Sequence, residues 1–174
     1  MLVLKQIIDT QLNIHQKYIV YFYRKAPGMQ VTVLHLQDDL DAAHVIWLAK
    51  DDISKHKIFI TPKYGKFNLQ DVRNYYNNSD AIILFVFDSS VPLDLKTKKE
   101  IQLAIKENKD VYVIAPQNWK LPKLLKNYKK LRLIPMSYES LIEIVQKKRK
   151  KTIEKIVLPI MLHALAKRNR YGQA

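Results

Sequence analysis

Residues 80–116 constrain the fold more than any other stretch, because they have the pattern of two buried strands joined by a helix. Residues 81–87 form a continuous apolar run rich in β-branched and aromatic side chains, which suits a strand covered on both faces. Residues 95–108 carry apolar side chains at the spacing of one helix face, and residues 111–115 repeat the buried-strand pattern. A connection of this length predicts a right-handed parallel βαβ unit whose first strand is central.

The chain before this unit predicts further helices and strands. Residues 1–15 have the spacing of an amphipathic helix, and residues 18–23 and 31–36 are β-rich runs. Only seven residues connect these two runs, which is too few for a crossover helix, so we expect an antiparallel hairpin. A helix over 42–50, a strand over 57–61 and a helix over 69–77 follow.

Polar residues mark where several of these elements begin. Asp38 or Asp39 is the expected N-cap of the helix over 42–50, because a carboxylate at a helix start accepts backbone N–H groups. A divalent-metal site built from the neighbouring aspartates is an alternative, although their spacing matches no recognisable ligand pattern. After residue 116 the pattern predicts a short helix near 121–128, an edge strand over 131–134 and a helix capped by Ser137.

Composition excludes several classes of site. The 174 residues are enough for one domain of ordinary size with an appendage, and the chain has no cysteine and only three glycines. Disulfides, thiolate catalysis, Cys-ligated metals and Walker-type phosphate loops are therefore excluded, and we expect no cofactor. The longest apolar stretch, residues 156–166, is far shorter than the ~20 residues of a membrane span, and no signal peptide is recognisable. A cytoplasmic location is the simplest expectation.

The net charge of +14 is concentrated in the last third of the chain. Residues 1–119 hold 15 lysines and arginines against 13 carboxylates, whereas residues 120–174 hold 15 against three. Such an asymmetry predicts a polyanionic partner for the C-terminal region. A run of solvated surface charges is the alternative interpretation.

Five consecutive cations, Lys147, Lys148, Arg149, Lys150 and Lys151, dominate this region. In a helix they would cover every side, so either a helix projects beyond the domain here or the run is a connector. An apolar stripe follows over 153–165, interrupted by Pro159, and ends in Lys167, Arg168 and Arg170. This last segment can pack back on the domain, pair with a second copy, or lie on an anionic surface.

Polar residues also follow the predicted strands, at the edge where open α/β sheets bind ligands. The candidates for nucleotide binding are Thr61, Ser89, Ser90 and Asn118. Asp88 precedes the two serines, and Glu100 lies in the next helix at the border of its apolar face. As an alternative, Glu100 is a solvated carboxylate beside Lys96 and Lys99, and Asp88 and Ser89 are loop and capping residues.

The segment 78–90, the helix containing Glu100 and the strand after residue 109 resemble the TIR-like and nucleoside 2-deoxyribosyltransferase-like Rossmannoid families. The strand at residues 57–61 is also similar to the first deoxyribosyltransferase strand. The resemblance covers about residues 57–116, and it implies that Glu100 acts on the N-glycosidic bond of a nucleoside or of NAD, with Asp88 and Ser89 contacting the sugar. The chain lacks the glycine-bearing turn that deoxyribosyltransferases place before the glutamate, and the hairpin is foreign to both families.

The sequence therefore predicts a three-layer, Rossmann-like (flavodoxin- or TIR-like) α/β core with a mostly parallel sheet. We expect an N-terminal helix and hairpin within residues 1–136 and a basic helical extension over 137–174. The leading hypothesis is nucleic-acid binding through Lys147–Lys151 and residues 167–170. The competing hypothesis is an enzyme that cleaves an N-glycosidic bond with Glu100, and a third is a scaffold that forms homodimers through its C-terminal helix.

Overall fold

The computed structural model describes residues 30–53, 56–60, 73 and 76–171. Strands and helices alternate through most of this range. The strands are β1 (Gln30–His35), β2 (Lys57–Ile60), β3 (Ala81–Phe85), β4 (Asp110–Ala115) and β5 (Leu131–Pro135). The helices are α1 (Leu40–Ile53), α2 (Leu95–Lys106), α3 (Lys123–Lys126), α4 (Tyr138–Gln146) and α5 (Thr152–Tyr171).

The five strands form one parallel sheet in the order β2-β1-β3-β4-β5. This is the doubly wound order of flavodoxin-like folds, in which the chain changes direction across the sheet between β1 and β3. The predicted central strand is β3, which is buried over its whole length and pairs with β1 and β4. The predicted edge strand is β5. The expectation of a Rossmann-like α/β core is confirmed.

The predicted antiparallel hairpin is wrong for the strand that the structure describes. β1 pairs in parallel on both sides, with β2 through Val31 and Ile58 and with β3 through Val33 and Ile83, so both of its edges are occupied. The other expected arm, residues 18–23, lies outside the described residues, as do the predicted helix over 1–15 and most of the helix over 69–77. Sequence proximity suggested a local partner, but the partners of β1 come from farther along the chain.

Short polar side chains set the helix starts. Asp39 accepts the N–H of Ala42 at 2.9 Å as the predicted cap of α1, and Asp94 accepts the N–H of Thr97 at 2.7 Å at the start of α2. Ser137 accepts the N–H of Ser140 at 3.2 Å and so begins α4, as predicted. After α2, Asn108 adopts a left-handed φ of 53°, a conformation that asparagine tolerates and that turns the chain into β4.

An apolar layer of helices packs on each face of the sheet, and this gives the fold its three layers. On one face α1, α4 and α5 pack against β1 and β3, and on the other face α2 and α3 pack against β3 and β4. Ile156, Val157 and Ile160 of α5 lie in the same cluster as Val33 and Ile83, so the segment after the basic run packs back on the sheet. Helix α5 continues through Pro159.

The five consecutive cations form the connection between α4 and α5. The chain leaves α4 at Lys147 with extended backbone angles and re-enters helix at Thr152. The proposed boundary at residues 136 and 137 falls between β5 and α4, and buried residues on both sides of it share one cluster. Within the described range, no helix combines the length and the apolar character needed to cross a bilayer.

Candidate functional site

Asp39 joins the two loops at the point where the sheet order reverses. Its side chain is only 1% exposed, and its oxygens accept the N–H groups of Ala42 at 2.9 Å, Phe87 at 2.7 Å and Asp88 at 3.1 Å. Burial raises the pKa of this carboxyl, although the three hydrogen bonds oppose the shift. The loops that follow β1 and β3 are therefore fastened to each other by one buried side chain.

Asp88 and Ser90 are brought together within the loop after β3. Asp88 is exposed, and its Oδ1 accepts both the N–H and the hydroxyl of Ser90, each at 2.8 Å. These hydrogen bonds lower the pKa of the Asp88 carboxyl. Ser89 is half-buried in the same turn, so the loop is a compact Asx turn in which the Ser90 hydroxyl already has an acceptor.

Two cations from the end of α5 contact protein groups at this same edge. Arg168 donates from Nη2 to the carbonyl of Phe87 at 3.0 Å, and its guanidinium carbon lies 5.4 Å from the Phe87 ring centroid. Burial lowers the Arg168 pKa, opposed by the carboxylates of Asp88 and Asp39. Lys167 lies 2.8 Å from Asp41 Oδ1. Of the three cations predicted here, Arg170 is the exposed one.

Glu100 lies in the interior of the protein. Its side chain is 5% exposed, on the face of α2 that also buries Thr97 and Ile101. The interpretation of Glu100 as a solvated surface carboxylate is therefore wrong.

Asp94 links the start of α2 to the end of β1. Its carboxylate accepts hydrogen bonds from the hydroxyl of Thr97, at 2.6 Å, and from the backbone N–H of Thr97. It also accepts the backbone N–H of Gln37, which follows β1.

Two further candidates for nucleotide binding are Asn118 and Thr61. Asn118 is exposed in the turn after β4, and Thr61 lies outside the described residues. Within the described part of the chain, no group of three or more histidine, aspartate or glutamate residues is arranged to hold a metal ion.

The opposite, amino-terminal edge of the sheet gathers cations. Because all strands are parallel, the residues that precede β4 and β5 lie at this edge, and they include Lys109, Lys129 and Lys130. The amide of Val111 donates to the carbonyl of Lys130 at 3.1 Å, which places the two strand starts side by side. The Lys109 and Lys130 ammonium groups donate to the backbone carbonyls of Asn77 and Asn108, at 3.0 and 2.9 Å. Because a carbonyl carries no net charge, these contacts do not neutralise the two lysines.

The run Lys147–Lys151 belongs to the same edge. Helix α5 ends at the carboxyl edge, where Arg168 contacts the Phe87 carbonyl, and its 20 residues span roughly 30 Å, so its first turn and the run before it lie at the opposite edge. Burial also raises the pKa of the Tyr112 hydroxyl near the start of β4, and the carboxylates of Asp110 and Glu154 add to this shift. We call Lys109, Lys129, Lys130 and Lys147–Lys151 together the amino-edge basic surface. This surface combines basic residues from three separate parts of the sequence.

Most of the charge on the run is directed to solvent. Lys147 pairs with Glu154 at 2.7 Å and with Glu143 at 3.8 Å. Lys148 and Arg149 are exposed and Lys150 is half-buried. Among the described residues, no ion pair involves these three side chains.

Two sets of contacts that shape these edges are not predicted by the sequence. The sequence predicts Asp39 as a helix cap, but its hydrogen bonds to the loop after β3 have no local signal. Glu154 was not singled out, although its position three residues after Lys151 is the spacing at which a glutamate returns to the residue that caps a helix. That spacing could have identified it.

Comparisons with known proteins add a structural likeness. Neither protein-family models nor curated proteins match this chain. Among solved structures, the flavodoxin-like domain of a Synechococcus sp. protein aligns with a TM-score of 0.42 and 10% sequence identity, over 80% of this chain and 99% of that chain.

Proposed function

We propose that this protein binds the phosphate backbone of nucleic acid through the amino-edge basic surface. The observation that supports the proposal is that the run Lys147–Lys151 and the strand-start residues Lys109, Lys129 and Lys130 lie at the same, amino-terminal edge of the sheet. Cations that contact a nucleic-acid backbone release condensed counterions, and this release drives binding that weakens steeply with salt. Of the eight cations, only Lys147 has an ion-pair partner among the described residues, so seven are available for phosphate contacts.

The proposed interface differs from a simple basic tail. Lys167 and Arg168 have carboxylate and carbonyl partners at the carboxyl edge of the sheet, so they contribute less to a phosphate contact than their sequence positions suggest. The proposal therefore rests on Lys147–Lys151 and the strand-start lysines. Arg170 is exposed, but it follows Arg168 at that other edge.

The chemistry of the surface favours recognition of duplex phosphates over stacking with unpaired bases. Single-strand binders use exposed aromatic rings on which bases stack. Among the described residues of the amino edge, Tyr128 is half-buried and its hydroxyl donates to the Lys109 carbonyl, and Tyr112 is half-buried against the core. We expect binding without base preference, because phosphate contacts carry no sequence information.

Removal of the three loop cations without a carboxylate partner tests the proposal. We expect the triple variant Lys148→Gln, Arg149→Gln, Lys150→Gln to bind labelled duplex at least about tenfold more weakly at about 50 mM salt. The slope of log affinity against log salt should become shallower by up to about 2.7, since each lost phosphate contact reduces it by about 0.9. Fluorescence anisotropy at about 50 and about 200 mM salt measures both quantities.

A matched variant controls for net charge. Lys98, Lys99 and Lys120 are exposed at the carboxyl edge, and their replacement by glutamine removes the same charge from the opposite side of the sheet. We expect less than about a twofold change in affinity for this control. Equal losses in the two triple variants would contradict the proposed interface, and no measurable binding by the unmodified protein would contradict the function. Truncation at Gln146 is unsuitable because it removes buried residues of α5.

A second candidate function, cleavage of an N-glycosidic bond in NAD or a deoxynucleoside, is favoured by the burial of Glu100. Glu100 is withdrawn from water one turn after Thr97, whose hydroxyl contacts the carbonyl of His35 at the end of β1, and doubly wound folds place their ligands at this edge of the sheet. Withdrawal from water also strengthens the interaction of a carboxylate with a developing positive charge on a ribosyl carbon.

Release of the base from NAD or a deoxynucleoside measures this second function. We expect release by the unmodified protein and a loss of at least about a hundredfold in Glu100→Gln, because glutamine has nearly the same shape but no charge. The half-buried Glu107 at the C-cap of the same helix gives a control, Glu107→Gln, that should retain activity. Absence of base release from the unmodified protein would contradict this function and leave the nucleic-acid proposal untouched.

A further inference from the structure

One carboxylate holds both ends of the basic run. Glu154 Oε1 accepts a hydrogen bond from Lys147 Nζ at 2.7 Å, and Oε2 accepts the backbone N–H of Lys151 at 2.9 Å. Lys147 is the first residue of the run and Lys151 is the last. The loop between α4 and α5 is therefore closed by a single side chain.

The start of α5 explains how Glu154 reaches both groups. The carbonyl of Lys151 accepts the N–H groups of Glu154 at 3.1 Å and Lys155 at 3.2 Å, so Lys151 stands at the capping position. A glutamate on the third helical residue can return its side chain to the backbone N–H of that position. The hydrogen bond from Lys147 lowers the pKa of the Glu154 carboxyl, which keeps it ionised near neutral pH.

We infer that Glu154 is a positioning residue, which fixes the loop so that Lys148, Arg149 and Lys150 face the phosphates of a bound duplex. This inference rests on the proposed function and adds the residue that shapes its site. A loop that is ordered before binding avoids much of the entropy cost of ordering its side chains on the ligand. The contribution of Glu154 is thus to affinity, although its own charge repels the ligand.

The two effects of Glu154 have opposite signs, which makes the inference testable. Loss of its negative charge should strengthen binding to a polyanion, whereas loss of its hydrogen bonds should loosen the loop and weaken binding. Glu143 provides the comparison, because it also pairs with Lys147, at 3.8 Å, and has no hydrogen bond to the loop backbone among the described residues. Glu143→Gln therefore removes the same charge without opening the loop.

The experiment compares the affinity of the full chain and three variants for one labelled duplex. We expect Glu154→Gln to bind about three- to tenfold more weakly than the unmodified protein, and Glu143→Gln to bind equally or up to about threefold more tightly. Glu154→Asp keeps the charge but is one methylene too short to hold both groups, so it should also bind more weakly. Circular dichroism and thermal melting verify that each variant is folded.

Tighter binding by Glu154→Gln, to the same degree as Glu143→Gln, would overturn the inference and leave the proposed function standing. Absence of binding by the unmodified protein would overturn the proposed function itself, and the inference with it. Should Glu154→Gln fail to fold, Glu154→Asp decides, because wild-type affinity in that variant would show that the closed loop contributes nothing to binding.

Discussion

Arg168 differs from the exposed cations of this protein because its guanidinium is half-buried against the end of β3. A cation withdrawn from water is costly unless it has partners, and Arg168 has the Phe87 carbonyl, the Phe87 ring and the nearby carboxylates of Asp88 and Asp39. These contacts fasten the last turn of α5 to the loop after the central strand. We therefore assign Arg168 a structural role.

Alanine substitutions at positions 168 and 170 test this role. Arg168→Ala should lower the free energy of unfolding by about 1–3 kcal/mol, because the Phe87 carbonyl loses its donor and the ring loses its cation. Arg170→Ala should change it by less than about 0.5 kcal/mol, since the side chain is exposed. Urea denaturation measures both. Similar values for the two variants would mean that the Arg168 contacts contribute nothing to stability.

At the scale of elements, α5 is part of the core. Ile160 is fully buried in the cluster that contains β1 and β3, whereas Leu162, two residues later, is 49% exposed. Ile160→Ala should cost about 2–5 kcal/mol, and Leu162→Ala should cost less than about 1 kcal/mol. Chemical denaturation of both variants is the measurement. A small loss for Ile160→Ala would indicate that α5 is an appendage.

The start of α5 should also contribute to the pH dependence of stability. The Glu154 pKa is lowered in the folded state from its ordinary value near 4.5, chiefly by the hydrogen bond from Lys147. Folding is therefore favoured by this group above about pH 4.5, and that contribution is lost as the pH falls through the folded-state pKa. The difference in unfolding free energy between the unmodified protein and Glu154→Gln should narrow as the pH falls below 4.5. A difference that stays constant between pH 7 and pH 3 would contradict the assignment.

Local sequence patterns predict those elements whose periodicity and capping residues lie within a few residues of each other. The unit β3-α2-β4, the edge position of β5 and the Ser137 cap follow from periodicity and capping within a few residues. The pairing of β1 could not be predicted in this way, because its partner strands β2 and β3 are separated from it in the sequence by α1 and further segments. Short separation from residues 18–23 favoured a hairpin, while the actual sheet is stabilised by parallel pairing with β2 and β3.

The candidate sites were harder to predict for the same physical reason. Lys167 and Arg168 resemble solvated tail charges until α5 packs on the sheet and brings them to Asp41 and to Phe87, the latter 81 residues earlier in the chain. The helical angle of Glu100 placed it at the border of an apolar face, and only the packing of α2 shows that it is buried. Lys109 and Lys130 join the basic run only because the strands are parallel.

At the scale of the whole molecule, the two candidate sites lie at opposite edges of one sheet. Strands of five or six residues separate these edges by roughly 17–20 Å. The described loops after β1 and β3 contain the carboxylates Asp38, Asp39, Asp88 and Asp94 and no cation, although Lys98, Lys99, Lys120 and the end of α5 add positive charge to the same edge. The amino-edge basic surface contains the eight cations of the proposed interface, so we expect the molecule to meet a polyanion with this edge leading.

This orientation predicts which amides a bound duplex protects from hydrogen exchange. Exchange should slow over 107–111, 128–131 and 147–152, where phosphates cover the backbone and restrict opening of the loop. The loops 36–39 and 86–94 should exchange at unchanged rates, because they face away from the duplex. Mass-spectrometric exchange with and without duplex, at low salt, measures both sets in the same sample. Protection confined to the loops at 36–39 and 86–94 would reverse the assignment of the edges, since it would show that the nucleic acid approaches the carboxyl ends of the strands.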